Sequence, residues 1–181
     1  MKTSFVLPAD SQPLGRHPKA TPVGQRIALH HNTCFGCGPD APVGLRLAVI
    51  AGEGVTVNAS LDVVDWMQGG PGVIHGGVLS AAFDEVMGTS PLMAGKAVVT
   101  GHLEIDFAAP IPLGSTLHFT GEVLGGVRRK VYTRAVAHLG DPERPVAAAH
   151  ALFITIDVEQ HFADYLDKAV SGADQSIRAR A

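Results

Sequence analysis

Charge is scarce in this 181-residue chain. Asp, Glu, Lys and Arg make up 17% of it against 46% hydrophobic residues, and mean hydropathy is +0.19. So few charges leave apolar surface to be covered, which points to contact with another subunit. A basic excess is also missing: 14 Lys and Arg face 17 Asp and Glu, for a formal net charge of -3. The electrostatic footprint of a general nucleic-acid binder is therefore absent. No apolar run approaches the roughly 20 residues that span a bilayer, and the apolar part of Met1–Pro8 is too short for a secretory signal. A cytoplasmic protein without membrane contact is expected.

Cysteine is nearly missing too. Cys34 and Cys37 form one C-x-x-C, with no second pair to complete a four-ligand zinc site, although His30 and His31 lie close by. No thioredoxin-like context follows. A packed turn is the expectation, with neither metal nor cofactor. Repeats and low-complexity tracts are likewise absent, and the length fits one domain with a real core.

What is present divides into three stretches. Residues 1–26 are rich in Pro, Gly, Ser and Gln and cannot order themselves alone, so they are expected to be flexible or laid across another surface. Residues 27–157 carry the domain. Within it, Gly44–Ile50 and Val55–Leu61 read as a hairpin, Asp62–Ile74 as a glycine-rich loop, and His75–Met87 as a helix. Ala97–Phe107, Thr116–Val123, Val127–His138 and Val146–Ile156 read as strands, broken by Pro110–Ser115, Gly125–Gly126 and Gly140–Pro145. One central helix followed by long strands implies an α+β fold with an antiparallel meander. Residues 158–181 are expected to hold a short amphipathic helix through Phe162, Tyr165, Leu166 and Val170, then a frayed tail.

The helix is the unusual element. It is apolar almost all the way round, with Leu79, Ala82, Phe83 and Val86 in one stripe, yet it carries Asp84 and Glu85. A second stripe, Gly77, Ser80, Ala81, Asp84, Met87 and Gly88, has little bulk except Met87 and lets a backbone or a ligand come close. A carboxylate on a buried helix is costly unless it is hydrogen-bonded or used. At the helix start, the unpaired N–H groups of Gly76 and Gly77 and the positive end of the macrodipole favour an oxyanion. A base and an oxyanion site on one element are two parts of an acyl-transfer or hydrolysis centre. A tight turn and a structural Asp are the plainer alternatives.

His75-Gly76-Gly77-Val78-Leu79, followed by Asp84 and Glu85-Val86-Met87-Gly88, resembles the signature of the hotdog-fold acyl-CoA thioesterases of the phenylacetate-pathway type. Cys34-Phe35-Gly36-Cys37-Gly38 with Gly44-Leu45, Ile105-Asp106-Phe107 through Pro112-Leu113-Gly114, and Ala147–Phe153 fit the same family in the same order. The resemblance covers roughly residues 30–157. It implies a long central helix wrapped by a five- to six-stranded antiparallel sheet, a homodimer or a tetramer built from dimers, and hydrolysis of an acyl-CoA substrate.

On this resemblance Asp84 acts as general base or as nucleophile, the Gly76 N–H holds the oxyanion with Gly77 beside it, and each site combines residues of two subunits. Thr100 matches a hydroxyl position that orients the water, and His75 shapes the turn. An Asn or Gln is expected upstream, but the matching offset falls on Gly69, so Gln68 takes that role only if the loop differs by a residue. Arg128, Arg129 and Lys130 form the densest basic patch, suited to the phosphates of CoA or to a solvated hairpin end. A non-catalytic acyl-CoA-binding protein is the main alternative. A hotdog hydratase would need an Asn-Pro-x-His pattern, which the chain lacks.

Overall fold

The computed structural model describes residues 4–28 and 31–165. Six strands, β1 (Ile50–Ala51), β2 (Thr56–Asp62), β3 (Val98–Phe107), β4 (Thr116–Val127), β5 (Lys130–His138) and β6 (Ala147–Thr155), make one sheet. Its order is β1-β2-β4-β5-β6-β3, with every neighbouring pair antiparallel. Helix α1 (Gly76–Thr89) packs against β2 through β6. Its Leu79, Ala82, Phe83, Val86 and Met87 are buried, and the Phe83 ring meets Phe119 of β4 edge-on at 5.2 Å. Removing such a ring costs about 3–5 kcal/mol. Met87, placed on the open stripe by sequence, turns inward. Ser80, Ala81, Asp84 and Gly88 are only half-buried, so α1 is covered on one side and open on the other within one chain.

Several boundaries differ from the expectation, for identifiable reasons. Residues 44–49, with Arg46 at φ 52°, form no strand and pair with loops: Leu45 and Leu47 donate to the carbonyls of Phe35 and Gly36, and Val49 accepts from Ile27. The ladder of β1 therefore shrinks to two residues. Gly125–Gly126 is not the β4–β5 turn but part of β4, at a bulge after Val123; the turn falls on Arg128, at φ 54°. A Cβ on Gly125 would stand 2.4 Å from Ser11 Oγ. That glycine lets the N-terminal segment approach, and Gln12 pairs there with Gly126.

Residues 4–26, expected to be either flexible or laid across another surface, are docked along the sheet. Arg16 donates to the carbonyls of Gly52, Gly54 and Thr21, and Gln25 and Ala51 share a backbone hydrogen bond. Arginine donors and backbone pairing supply what this segment cannot gain from its own apolar burial. After β6, α2 (Val158–Phe162) starts on Asp157, whose carboxylate caps Gln160 N–H at 2.9 Å. Leu166, Val170, the tail 171–181 and His30 lie outside the described residues. No helix among the described residues is long and apolar enough to cross a membrane.

Strand β3 positions the site. Its register shifts between Thr100 and His102, so Gly101 is a bulge that inverts the alternation. Val98 before it, and Leu103 and Ile105 after it, all pack on the core. Thr100 thereby faces α1 at one end of the strand and Phe107 faces it at the other. Residues 25–27 cover the edge beyond β1, whereas the outer edge of β3 has no strand partner among the described residues.

Candidate active site

His75 caps α1 from an extended backbone, φ -73° and ψ 133°, and its Nδ1 accepts the Gly77 N–H at 2.9 Å. That pins the ring to the turn and leaves Gly77 without a donor for a substrate. Gly76 is the first helical residue, so its N–H has no acceptor within the helix, and none outside it among the described residues. It is the donor that remains at the positive end of α1.

The approach to it is held rigidly. His75 N–H donates to Met67 at 2.7 Å, Ile74 to Ile111 at 3.0 Å and Leu113 to Gly72 at 3.0 Å, so two loops are sewn together beside the helix start. Gln68 Oε1 accepts the Gly72 N–H at 3.1 Å, which makes it a brace of the loop. A Cβ on Gly69 would lie 2.7 Å from His75 Cα. The position where simple offset put an Asn or Gln therefore has no space for a side chain, and Gln68 is the amide that this loop carries.

Asp84 is half-buried on the open side of α1, and Thr100 Oγ1 donates to its Oδ1 at 2.7 Å. The β3 bulge and the helix thus bring together two residues to which the resemblance had given separate roles. At about 1.5 Å rise per residue, Asp84 stands about 12 Å along α1 from its own Gly76. One carbonyl cannot touch both within a chain.

An open cavity of about 310 Å³ adjoins Gly76 and is lined by Val73, Ile74, Leu79, Phe107, Pro110 and Ile111. Its floor, 107–111, was not singled out by sequence as a pocket wall. The available signal was Pro110 and Pro112 directly after a strand, marking a fixed turn.

The basic patch sits at the Asp84 end of the sheet. Val131 and Thr100 both pair with Phe153, so their strands flank β6, about 10 Å apart. Arg128, Arg129 and Lys130 are exposed, but Arg129 already donates from Nε and Nη2 to Thr155 O at 3.1 and 3.0 Å. Arg128 lies in the turn rather than in a strand, so strand alternation does not decide its direction.

Cys34, half-buried, and Cys37, buried, lie beside Glu85 on α1, and Glu85 Oε2 is 3.7 Å from Cys34 Sγ. The Cys37 thiol is pushed far up, first by its hydrogen bond with Cys34, then by burial and by the Glu85 carboxylate.

Residues 71–146 match the sequence profile of the Thioesterase superfamily. Over these residues the chain is similar to thioesterase-superfamily domains. Acyl-coenzyme A thioesterase THEM5 of Homo sapiens is 30% identical over 95 residues, 52% of this chain and 38% of that protein. The chain thus spans well under half the length of this relative. A crystal structure of a thioesterase superfamily protein superposes with a TM-score of 0.64 at 25% identity, covering 75% of this chain and 70% of the other. The PaaI protein from the phenylacetic acid degradation operon of E. coli superposes with a TM-score of 0.57 at 22% identity, over 62% and 81%. A six-stranded antiparallel sheet around one long helix is thus the hotdog fold, as the signature implied.

Proposed function

We propose that this chain hydrolyses acyl-CoA thioesters in a homodimer, with Asp84 as general base or nucleophile and the Gly76 N–H of the partner subunit as oxyanion donor. The placement of the two half-sites on β3 carries this reading. Asp84 is bonded to Thr100 near one end of the strand, and Gly76 lies against Phe107 at the other, its ring 3.6 Å from where a Cβ would be. Among the described residues the outer edge of β3 is the long unpaired edge of the sheet, a surface that proteins ordinarily cover. Pairing two such edges antiparallel about a two-fold axis is the isologous contact. It sets the Thr100 end of one strand opposite the Phe107 end of the other. Each Asp84 then faces Gly76 of the partner subunit, which closes the gap that one chain leaves open.

In that arrangement the thioester oxygen would accept the Gly76 N–H as charge develops on it. Asp84, oriented by Thr100, would take a proton from water or attack the carbonyl itself. The apolar cavity beside Gly76 suits the acyl group, and the exposed Arg128 and Lys130 suit the phosphates of CoA. No cofactor or metal enters these steps. The name of the human relative supports the acyl-CoA class.

The test is Asp84→Asn, assayed by thiol release from phenylacetyl-, benzoyl- and butyryl- through dodecanoyl-CoA. Turnover should fall about 10²- to 10⁴-fold while acyl-CoA affinity holds. A variant that keeps its turnover would remove Asp84 from the chemistry. A wild-type chain that binds acyl-CoA without hydrolysing any of the panel would favour the non-catalytic binder.

A further inference from the structure

We propose that Cys34, Cys37 and Glu85 form a binding site for a thiophilic divalent cation, Zn²⁺ before others, which fastens the Cys34–Gly38 loop to α1. The Asp84 mechanism makes no use of this cluster, and the proposal departs from the metal-free expectation drawn from sequence. There the objection was the lack of a second cysteine pair. The fold supplies a third ligand, since Glu85 comes from 51 residues away to within 3.7 Å of Cys34 Sγ.

The ligand atoms of all three residues lie within 4.8 Å of one another. Around a tetrahedral zinc with bonds of about 2.0–2.3 Å, ligand atoms stand roughly 3.3–3.8 Å apart, so about 1 Å of closure assembles the set. Two sulfurs and a carboxylate are donors that Zn²⁺ accepts, and three protein ligands with one solvent position is an established coordination. Cys34 is only half-buried, which leaves a way in.

Two details point to a built site. Gly36, between the cysteines, has no space for a side chain: its Cβ would stand 2.1 Å from Glu85 Oε2. The carboxylate can therefore reach up between the thiols. The loop is also preset, with Gly36 N–H donating to Cys34 Sγ at 3.3 Å and Gly38 N–H to Cys34 O at 2.8 Å. Bringing acid and thiol groups this close disfavours the thiolates, in line with the raised Cys37 thiol. A dication reverses that balance: binding releases the thiol protons, so uptake strengthens as pH rises.

The experiment uses the full chain, purified without a metal-affinity step, reduced with a phosphine and titrated with Co²⁺ alone and with Zn²⁺ alone. Expected are one equivalent per chain, a thiolate-to-cobalt charge-transfer band that Zn²⁺ abolishes, loss of thiol reactivity on Zn²⁺ addition, and a raised Tm. Cys37→Ser should lose the band. Glu85→Gln should bind more weakly by at least the about 10- to 100-fold typical of losing even an outer-shell partner. Where a variant fails to fold, the wild-type cobalt spectrum and thiol protection decide. A reduced wild-type chain with no charge-transfer band, or with thiols equally reactive in Zn²⁺, overturns the proposal. So does a Glu85→Gln chain with unchanged affinity, because the third ligand is what the fold adds.

Discussion

Gly76→Pro removes the N–H that the candidate site needs, putting the proline ring in its place. Proline is well suited to the first helical position, where the missing N–H has no helical acceptor. The residue before it must be extended, and His75 already is, at φ -73° and ψ 133°. Space is available, since a Cβ there would meet only the Phe107 ring at 3.6 Å. Fold stability should therefore change by no more than about 1 kcal/mol. Loss of one oxyanion donor, in contrast, lowers kcat about 10²- to 10³-fold, or about 2.7–4 kcal/mol in the barrier. Gly76→Ala, which keeps the N–H, is the matched control and should stay within a few-fold of wild type. Thiol release from the best acyl-CoA substrate gives kcat, and a thermal melt confirms folding. A folded Gly76→Pro chain that turns over as fast as Gly76→Ala would refute the oxyanion role.

Thr100→Val deletes the hydroxyl that donates to Asp84; a hydrogen bond to a charged group is worth about 1.5–3 kcal/mol, so kcat should drop about 10- to 100-fold and recover in Thr100→Ser. An unchanged Thr100→Val rate would reduce that bond to packing. His150, stacked under Phe5 at 4.6 Å, has its pKa lowered by burial first and by Arg134 second. Its neutral form is thus favoured in the fold: the stability it contributes is complete above the unfolded value of about 6.5 and is lost as pH falls through the lowered folded value. Urea midpoints should decline on acidification across that window, and less steeply in His150→Gln; equal slopes would exclude the residue.

The helix was legible because its pattern is redundant: Leu79, Ala82, Phe83 and Val86 repeat at helical spacing, and Gly76–Gly77 mark its start. Four long strands were legible from β-branched content and turn residues. The sequence reading went astray where a glycine serves a neighbour instead of a turn. Gly125–Gly126 looked like a hairpin break, but its lack of side chains admits Ser11 and Gln12, a contact more than a hundred residues distant in sequence. Gly101 was a readable bulge signal, and it decides that Thr100 faces Asp84. The third member of the cysteine cluster was hidden for the same reason as the docked N-terminal segment. Both depend on long-range placement, which periodicity does not encode. Asp84 was suspected as a buried charge, yet in a single chain it is half-buried, and the proposed dimer is what would cover it.

A site shared between subunits can be tested by complementation. Asp84→Asn and Gly76→Pro chains, each inactive alone, would be unfolded together, refolded as a mixture and assayed for thioester cleavage. In a random mixture half the dimers are mixed, and each mixed dimer holds one intact site, so activity should return to about a quarter of the wild-type rate. A mixture as inactive as its parents, with mixed dimers demonstrably formed, would contradict the account.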